Sequence, residues 1–232
     1  MCENVKDPVR ITDAELDSLR AELPFILSEK RARHVLGVER MALRLGRLFT
    51  PAADDIRLLR GAALLHDITK ELTTDRHAAI MRAHGVEPTE YDILSPKTLH
   101  ARTAAMLIPD RYPQFADERL ISAVRWHTTG RAGMSVYDKI IYFADYIDDT
   151  RTYDDCVKLR NLFFDAAPDK MGAAALTAHL DRLIVMSFDM TLAELTAKNG
   201  LISTDTVDAR NYLLCGLIGA QNSADGSAPI QR

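Results

Sequence analysis

The sequence predicts an all-α fold, and three observations carry that reading. Apolar residues recur at helical spacing along the chain, with no convincing run of strand-like alternation. Capping residues and Gly or Pro stops punctuate these stretches. The segment from about Asp54 to Leu72 is apolar on most sides through Leu58, Leu59, Ala62, Ala63, Leu64 and Leu65. A helix of that kind is the buried centre of a bundle. A length of 232 residues fits one domain. No internal repeat, Gly-rich phosphate loop or long linker divides it.

Thr12, followed three residues later by Glu15, reads as the capped start of a short helix that Pro24 closes. A long amphipathic helix then runs from about Ser28 to Phe49, stopped near Pro51. The apolar central helix follows, and Thr74 or Asp75 caps the next one, which ends at His84-Gly85. Further helices fit Thr98–Ile108 before Pro109, Asp117–His127, and Ser135–Asp148 with a capping pair at Ser135 and Asp138. Two more fit Met171–Lys198 and Thr206–Gly219. Residues 1–27 read as an N-terminal extension carrying the first short helix, 28–220 as the main domain, and the small polar stretch 221–232 as a disordered tail.

Composition excludes several classes of function. Net charge is −4 with a pI near 6.0, so no basic field invites nucleic acid or an anionic membrane. Aromatic residues are only 6%, too few for a base-stacking surface. Cys2, Cys156 and Cys215 are widely spaced, which fits neither a disulfide framework nor a zinc knuckle. The opening residues are partly acidic and lack an apolar stretch, so no secretory leader is read there. The longest apolar stretch, Tyr212 to Ala220, falls well short of the roughly 18–20 residues a membrane span needs. A soluble cytoplasmic protein is the expectation.

Histidine is the informative residue. His34 shares a helix face with Val38, Met41 and Leu45, so it points inward. His66 ends the Leu-Leu-His-Asp run of the central helix beside Asp67, with Lys70 one turn on. Asp145 interrupts the apolar run Ile140 to Ile147, and a carboxylate buried alone costs several kcal/mol. His100 and His127 also align with apolar neighbours. A single inward histidine is ordinarily a hydrogen-bonded core residue, and an adjacent His-Asp pair is common by chance. Four inward histidines and two inward aspartates on five helices have no packing rationale. One shared metal centre relieves all those desolvation costs, because neutral imidazole and carboxylate are its natural ligands.

His34, Ala-Ala-Leu-Leu-His66-Asp67-Ile-Thr-Lys70, Leu99-His100, His127-Thr-Thr-Gly130 and Tyr142-Phe-Ala-Asp145-Tyr-Ile with Arg151 resemble the HD-domain phosphohydrolase superfamily. More narrowly, they are similar to the YqeK family of symmetrical diadenosine tetraphosphate hydrolases. The resemblance covers roughly residues 28 to 215, with its motifs in order. It implies a single HD-domain helical bundle with a metal site at its centre. His34, His66, Asp67 and Asp145 would ligate a divalent transition metal, iron foremost, with manganese or cobalt as alternatives. His100 and His127 would bind a second ion, or contact phosphate if only one is present. Asp148-Asp149 departs from the Glu-Pro usual in the family at that turn.

The implied reaction splits diadenosine tetraphosphate into two ADP by metal-activated water, with Asp67 and Lys70 as catalytic residues. Arg31, Lys70 and Arg151 are placed to hold phosphates, together with His100, His127 and Thr128. The stretch Ser203, Thr204, Asp205 and Thr206 resembles a family segment that closes over the nucleotide. Two other readings stay open. One is an HD-type nucleotidase or phosphodiesterase acting on a deoxynucleotide, cyclic nucleotide or guanosine alarmone. The other is a non-catalytic nucleotide sensor. A homodimer stays open as the assembly. His77, His84 and His179 are unassigned; His84 sits beside a Gly stop, where a histidine meets the helix C-terminal dipole, and His179 aligns with Leu176 and Leu183 at the edge of the core.

Overall fold

Helix caps account for most element starts. In the computed structural model, which describes residues 10–224, the Thr12 hydroxyl accepts from Glu15 N–H, and the Glu15 carboxylate accepts from Thr12 N–H. This opens α1 (Asp13–Ile26). Ser28 caps α2 (Glu29–Phe49), and α3 (Ala53–Leu65) follows. Thr73 caps α4 (Thr74–Ala83), and a capping pair of Thr89 and Asp92 opens the short α5 (Glu90–Leu94). Next come α6 (Leu99–Arg111), α7 (Glu118–Trp126) and α8 (Val136–Ile147), the last with the expected Ser135–Asp138 capping pair. The chain ends in α9 (Asp154–Asp165), α10 (Ala173–Ala197) and α11 (Thr204–Ala224). Short 3₁₀ turns join some of these, and the described residues contain no strand.

The core lies where α2, α3, α7 and α8 pack together, with α6 beside α7. Val35, Val38 and Met41 of α2 meet Leu59, Ala62 and Ala63 of α3, Val124 of α7 and Ile141 and Ala144 of α8 in one buried cluster. Every residue from Leu58 to Leu65 except Arg60 is buried, as the expected apolar central helix requires. Arg60 and Arg20 of α1 both hold the buried Glu39 carboxylate. Leu16, Leu19 and Leu23 join the core, so α1 is packed into the bundle.

The structure corrects several sequence boundaries. The central helix ends at Leu65 rather than Leu72, although no Gly or Pro marks a stop there. Beyond it the chain tightens into three-residue turns, with Lys70 N–H donating to Asp67 O and Leu72 N–H to Thr69 O. Tertiary bonds override the helical pattern: Arg31 holds Asp67, and the Thr69 hydroxyl donates to His100 O at 2.8 Å. Proline stops act late. Pro24 and Pro109 each sit inside the last turn of a helix, where a missing N–H forfeits one bond only. Helix α11 begins at Thr204 and runs past Gly219 to Ala224, four residues into the expected tail. Residues 225–232 of that tail, and the leader reading with Cys2, lie outside the described residues. Helices α5 and α9 are additions to the sequence reading.

Candidate metal centre

Ala62 and Ala63 let the C-terminal end of α3 approach α2, α7 and α8 closely, and the inward histidines converge there. His34 comes from the second turn of α2, His66 from the end of α3, His100 from the start of α6 and His127 from the end of α7. Asp67 follows α3 directly, and Asp145 sits in the last turn of α8. The start of α2 is tied to the His66–Asp67 turns by Ser28, whose N–H donates to Glu71 Oε2 at 2.8 Å.

One feature unites the four histidines: each Nδ1 is already occupied. His66, His100 and His127 place Nδ1 at 2.6, 2.8 and 2.7 Å from the carbonyls of Ala63, Lys97 and Val124, each three residues back. His34 Nδ1 lies 3.2 Å from Asp148 Oδ2. A carbonyl can only accept, so Nδ1 carries the proton in those three rings, and the Nε2 lone pair is aimed inward. The His100 and His127 Nε2 atoms lie 3.0 Å apart, and His34 Nε2 is 3.0 Å from Asp145 Oδ1. His34 Nε2, His66 Nε2 and Asp67 Oδ1 are buried without a properly directed hydrogen bond.

Lone pairs converging without donors need a cation. Two donor groups have their atoms within 4.8 Å of one another: His34, His66 and Asp145, and His66, Asp67 and His127. The donor set, neutral imidazole and carboxylate, has the chemistry of a divalent metal site. His100 stands beside the second group, its Nε2 3.2 Å from Asp67 Oδ1 and 3.1 Å from the Thr128 hydroxyl.

Electrostatics follow the same logic. Burial opposes ionisation of Asp67, yet His66 and His127 hold its carboxyl well below the usual range. Burial likewise opposes Asp145, and Arg151 followed by His34 outweighs it. Burial, then Lys70, pushes His100 well down, and burial pushes His127 down, so both rings stay neutral donors. Burial also lowers Lys70, whose Nζ lies 3.0 Å from His100 Nε2. His34 runs the other way. Burial disfavours its charged form, but the Asp145 and Asp148 carboxylates, 3.0 and 3.2 Å from its ring nitrogens, raise its pKa from 6.5 to about 9 in the metal-free protein.

That shift carries a pH prediction. A raised pKa means the His34 proton stabilises the metal-free fold fully below about pH 6.5, and this contribution is lost as pH climbs through about 9. Metal must displace the proton from Nε2, so affinity is expected to rise about tenfold per pH unit up to about pH 9 and then level off. Competition with a coloured chelator at several pH values measures this. A flat profile between about pH 7 and 8.5 contradicts it.

The expected site residues are largely assembled. Arg31 Nη1 lies 2.7 Å from Asp67 Oδ2, and Arg151 Nη2 lies 2.6 Å from Asp145 Oδ1. Ser203, Thr204 and Asp205 line a separate cavity with Thr129, which follows Thr128 in the chain. Thr206 is buried in the first turn of α11, which begins two residues earlier than the sequence suggests, and is not among the residues lining that cavity. The His-Thr-Thr-Gly stretch has a clear cause. Gly130 takes φ +66 to close α7, and a Cβ there would sit 2.6 Å from Phe188. His84 Nδ1 lies 2.8 Å from Ile80 O at the end of α4, and His179 stacks on Phe163.

Asp148 is the residue that sequence reasoning missed. It is fully buried, orients His34, and accepts from Thr150 N–H at 2.8 Å. Arg160 fastens the same turn by donating to the carbonyls of Ile147, Asp148 and Arg151. Gly37 makes room for it: a Cβ there would lie 2.6 Å from Asp148 Oδ1. A carboxylate behind a ligating imidazole fixes the ring and raises its basicity. Asp148→Ala is expected to weaken metal binding by about 10–100-fold with the fold retained. Unchanged affinity in a metal titration would remove Asp148 from the site.

Comparisons with known proteins bear on this geometry. A family model described as HD domain matches residues 31–150. The symmetrical bis(5'-nucleosyl)-tetraphosphatase of Halalkalibacterium halodurans is 32% identical over 190 residues, covering 81% of this chain and 91% of that protein. Its counterpart of the same name in Bacillus subtilis is 30% identical over 190 residues, 82% of this chain and 92% of that protein. A crystal structure from Clostridium acetobutylicum, described as a predicted HD superfamily hydrolase involved in NAD metabolism, matches with a TM-score of 0.74 at 32% identity. It covers 86% of this chain and 97% of that one. No helix among the described residues is long and apolar enough to cross a membrane. With motifs, fold and donor geometry in agreement, the chain belongs to the HD domain family, among relatives named symmetrical bis(5'-nucleosyl)-tetraphosphatases.

Proposed function

We propose that this chain is a metal-dependent hydrolase that cleaves diadenosine tetraphosphate symmetrically into two ADP. The observation that carries the reading is the pairing of two surfaces. Orphaned His and Asp donors lie beneath a cavity of about 410 Å³ walled by Lys30, Arg31, Arg33 and Arg151, with no acid among its lining residues. A cleft of one sign concentrates a ligand of the other, and a tetraphosphate bridge is strongly anionic.

His34, His66, Asp67 and Asp145 would hold the metal, and His127 with His100 a second ion or a phosphate. A bound divalent metal lowers the pKa of water and polarises a phosphoryl oxygen. Iron suits a site of imidazole and carboxylate, as do manganese and cobalt. Arg31 and Arg151 now lie against Asp67 and Asp145, and they are free to turn to phosphate once a cation satisfies those carboxylates. Lys70, held between Asp67 and His100, is placed to offset charge developing on the phosphoryl oxygens. Asp67 orients the site and accepts from Arg31. The catalytic domain is taken as 28–220, and α1 braces it from the N-terminal extension.

Metal removal tests the reading. Stripping the protein with a chelator is expected to abolish turnover of diadenosine tetraphosphate, and adding back iron, manganese or cobalt to restore it. Full turnover in protein shown to be free of metal would overturn it.

A further inference from the structure

A further cavity, about 420 Å³, opens where the turns after α3 meet α4 and the start of α6. Lys70, Lys97, His77, His100, Thr73 and Thr74 stand in its walls, with no acid among its lining residues. It matches the basic cavity at His34 in sign and in size, about 420 against 410 Å³. Acidic residues outnumber Lys and Arg in this chain by 33 to 29, so composition alone does not supply two acid-free cavities. A cavity between α9 and α10 shows the contrast, with Asp154, Asp155 and Glu194 in its walls.

The two basic cavities lie at opposite ends of the donor set. The four histidine rings form a chain of neighbours from His34 through His66 and His127 to His100, with successive centroids 5.5, 4.9 and 4.9 Å apart. His34, at one end, lines the first cavity, and His100, at the other, lines the second. Asp67 lies along the middle, its Oδ2 3.7 Å from His34 Nε2 and its Oδ1 3.2 Å from His100 Nε2. Lys70 joins the donors to the second cavity, since its Nζ is 3.0 Å from His100 Nε2 and it also lines the wall. Lys97 is fastened to the same ring, because its carbonyl accepts from His100 Nδ1 at 2.8 Å. Its exposed side chain extends the positive lining outward from the donors.

We infer that the phosphate bridge of the substrate is gripped at both ends, one half in the cavity at His34 and the other in the cavity at Lys97, and that Lys97 binds the second half. The inference rests on the substrate class proposed above and adds what fixes the point of attack. A polyanion drawn into two cavities of like sign and size centres itself on the donors between them. The middle bridging oxygen then lies over His66, Asp67 and His127, and symmetrical cleavage follows from the register in which the bridge is held.

Two charge reversals test this, Lys97→Glu in one cavity and Arg33→Glu in the other, both at exposed positions outside the donor set. The metal-loaded full chain is titrated calorimetrically with ADP and with a diadenosine tetraphosphate analogue whose middle bridging oxygen is replaced by methylene, which blocks cleavage there. Each single reversal is expected to weaken the analogue by about tenfold or more. Each is expected to spare ADP, which carries one half and can use the cavity that remains, while the double variant loses both ligands. Lys97→Gln is expected to give the same pattern more weakly and serves if Lys97→Glu misfolds. Unchanged affinity of Lys97→Glu for the analogue, or equal losses for the analogue and ADP, overturns the inference. Protein that shows the two-cavity pattern but does not cleave diadenosine tetraphosphate would sink the proposed function while the two grips stand.

Discussion

Asp67→Ala is expected to abolish both metal content and turnover. Asp67 is buried at the junction of the two donor groups, with Oδ1 3.2 Å from His100 Nε2 and Oδ2 2.7 Å from Arg31 Nη1. Removing it takes away one carboxylate ligand and one negative charge, and leaves Arg31 facing the imidazoles unpaired. Losing an outer-shell partner alone weakens a metal site by about 10–100-fold, and loss of a charged ligand is expected to weaken it more. Elemental analysis of the purified variant, beside circular dichroism to show the helices intact, reads this directly. A folded Asp67→Ala protein that keeps its full complement of metal contradicts the assignment of Asp67 as a ligand.

Lys70→Ala is expected to do something different: keep the metal and lose turnover. Lys70 Nζ is 3.9 Å from Asp67 Oδ1 and 3.0 Å from His100 Nε2, so it touches the donors without being one. An ammonium cannot ligate a metal, and its loss leaves the donor atoms named above in place. Preorganised charge of this kind is worth about 10²–10³-fold in turnover. The diagnostic split is unchanged metal content with kcat reduced and KM moved far less. Metal lost in proportion to activity would make Lys70 a structural partner of Asp67 and nothing more.

Much of the fold could be read from the sequence because local and global preferences agree in it. Ser28 and Ser135 cap the helices they precede, as the sequence suggests, and the all-apolar stretch from Leu58 to Leu65 is the buried centre. The donor set was legible for a physical reason as well. His34, His66, His100 and His127 stand where helix faces ought to be apolar, and only a shared ligand explains such a cost four times over.

What escaped has physical causes too. The stop after Leu65 has no Gly or Pro to announce it, because Arg31 of α2 and the His100 carbonyl of α6 impose it from other helices, holding Asp67 and Thr69. Helix α9 hides its apolar face, Cys156, Leu159 and Phe163, among charged neighbours, although their spacing of three and four could have revealed it. Asp148 looks like a solvated turn residue beside Asp149. Only the packing of α2 through Gly37 shows that it is buried behind His34.

The central claim is symmetrical cleavage at a protein-held metal, and the product pattern tests it most directly. Protein purified without chelator is incubated with diadenosine tetraphosphate, and the nucleotides are resolved by chromatography as the reaction proceeds. ADP alone is expected, formed at two molecules per substrate consumed. AMP and ATP in equal amounts would contradict it, because they would place the attacked phosphorus at the end of the bridge rather than at its middle.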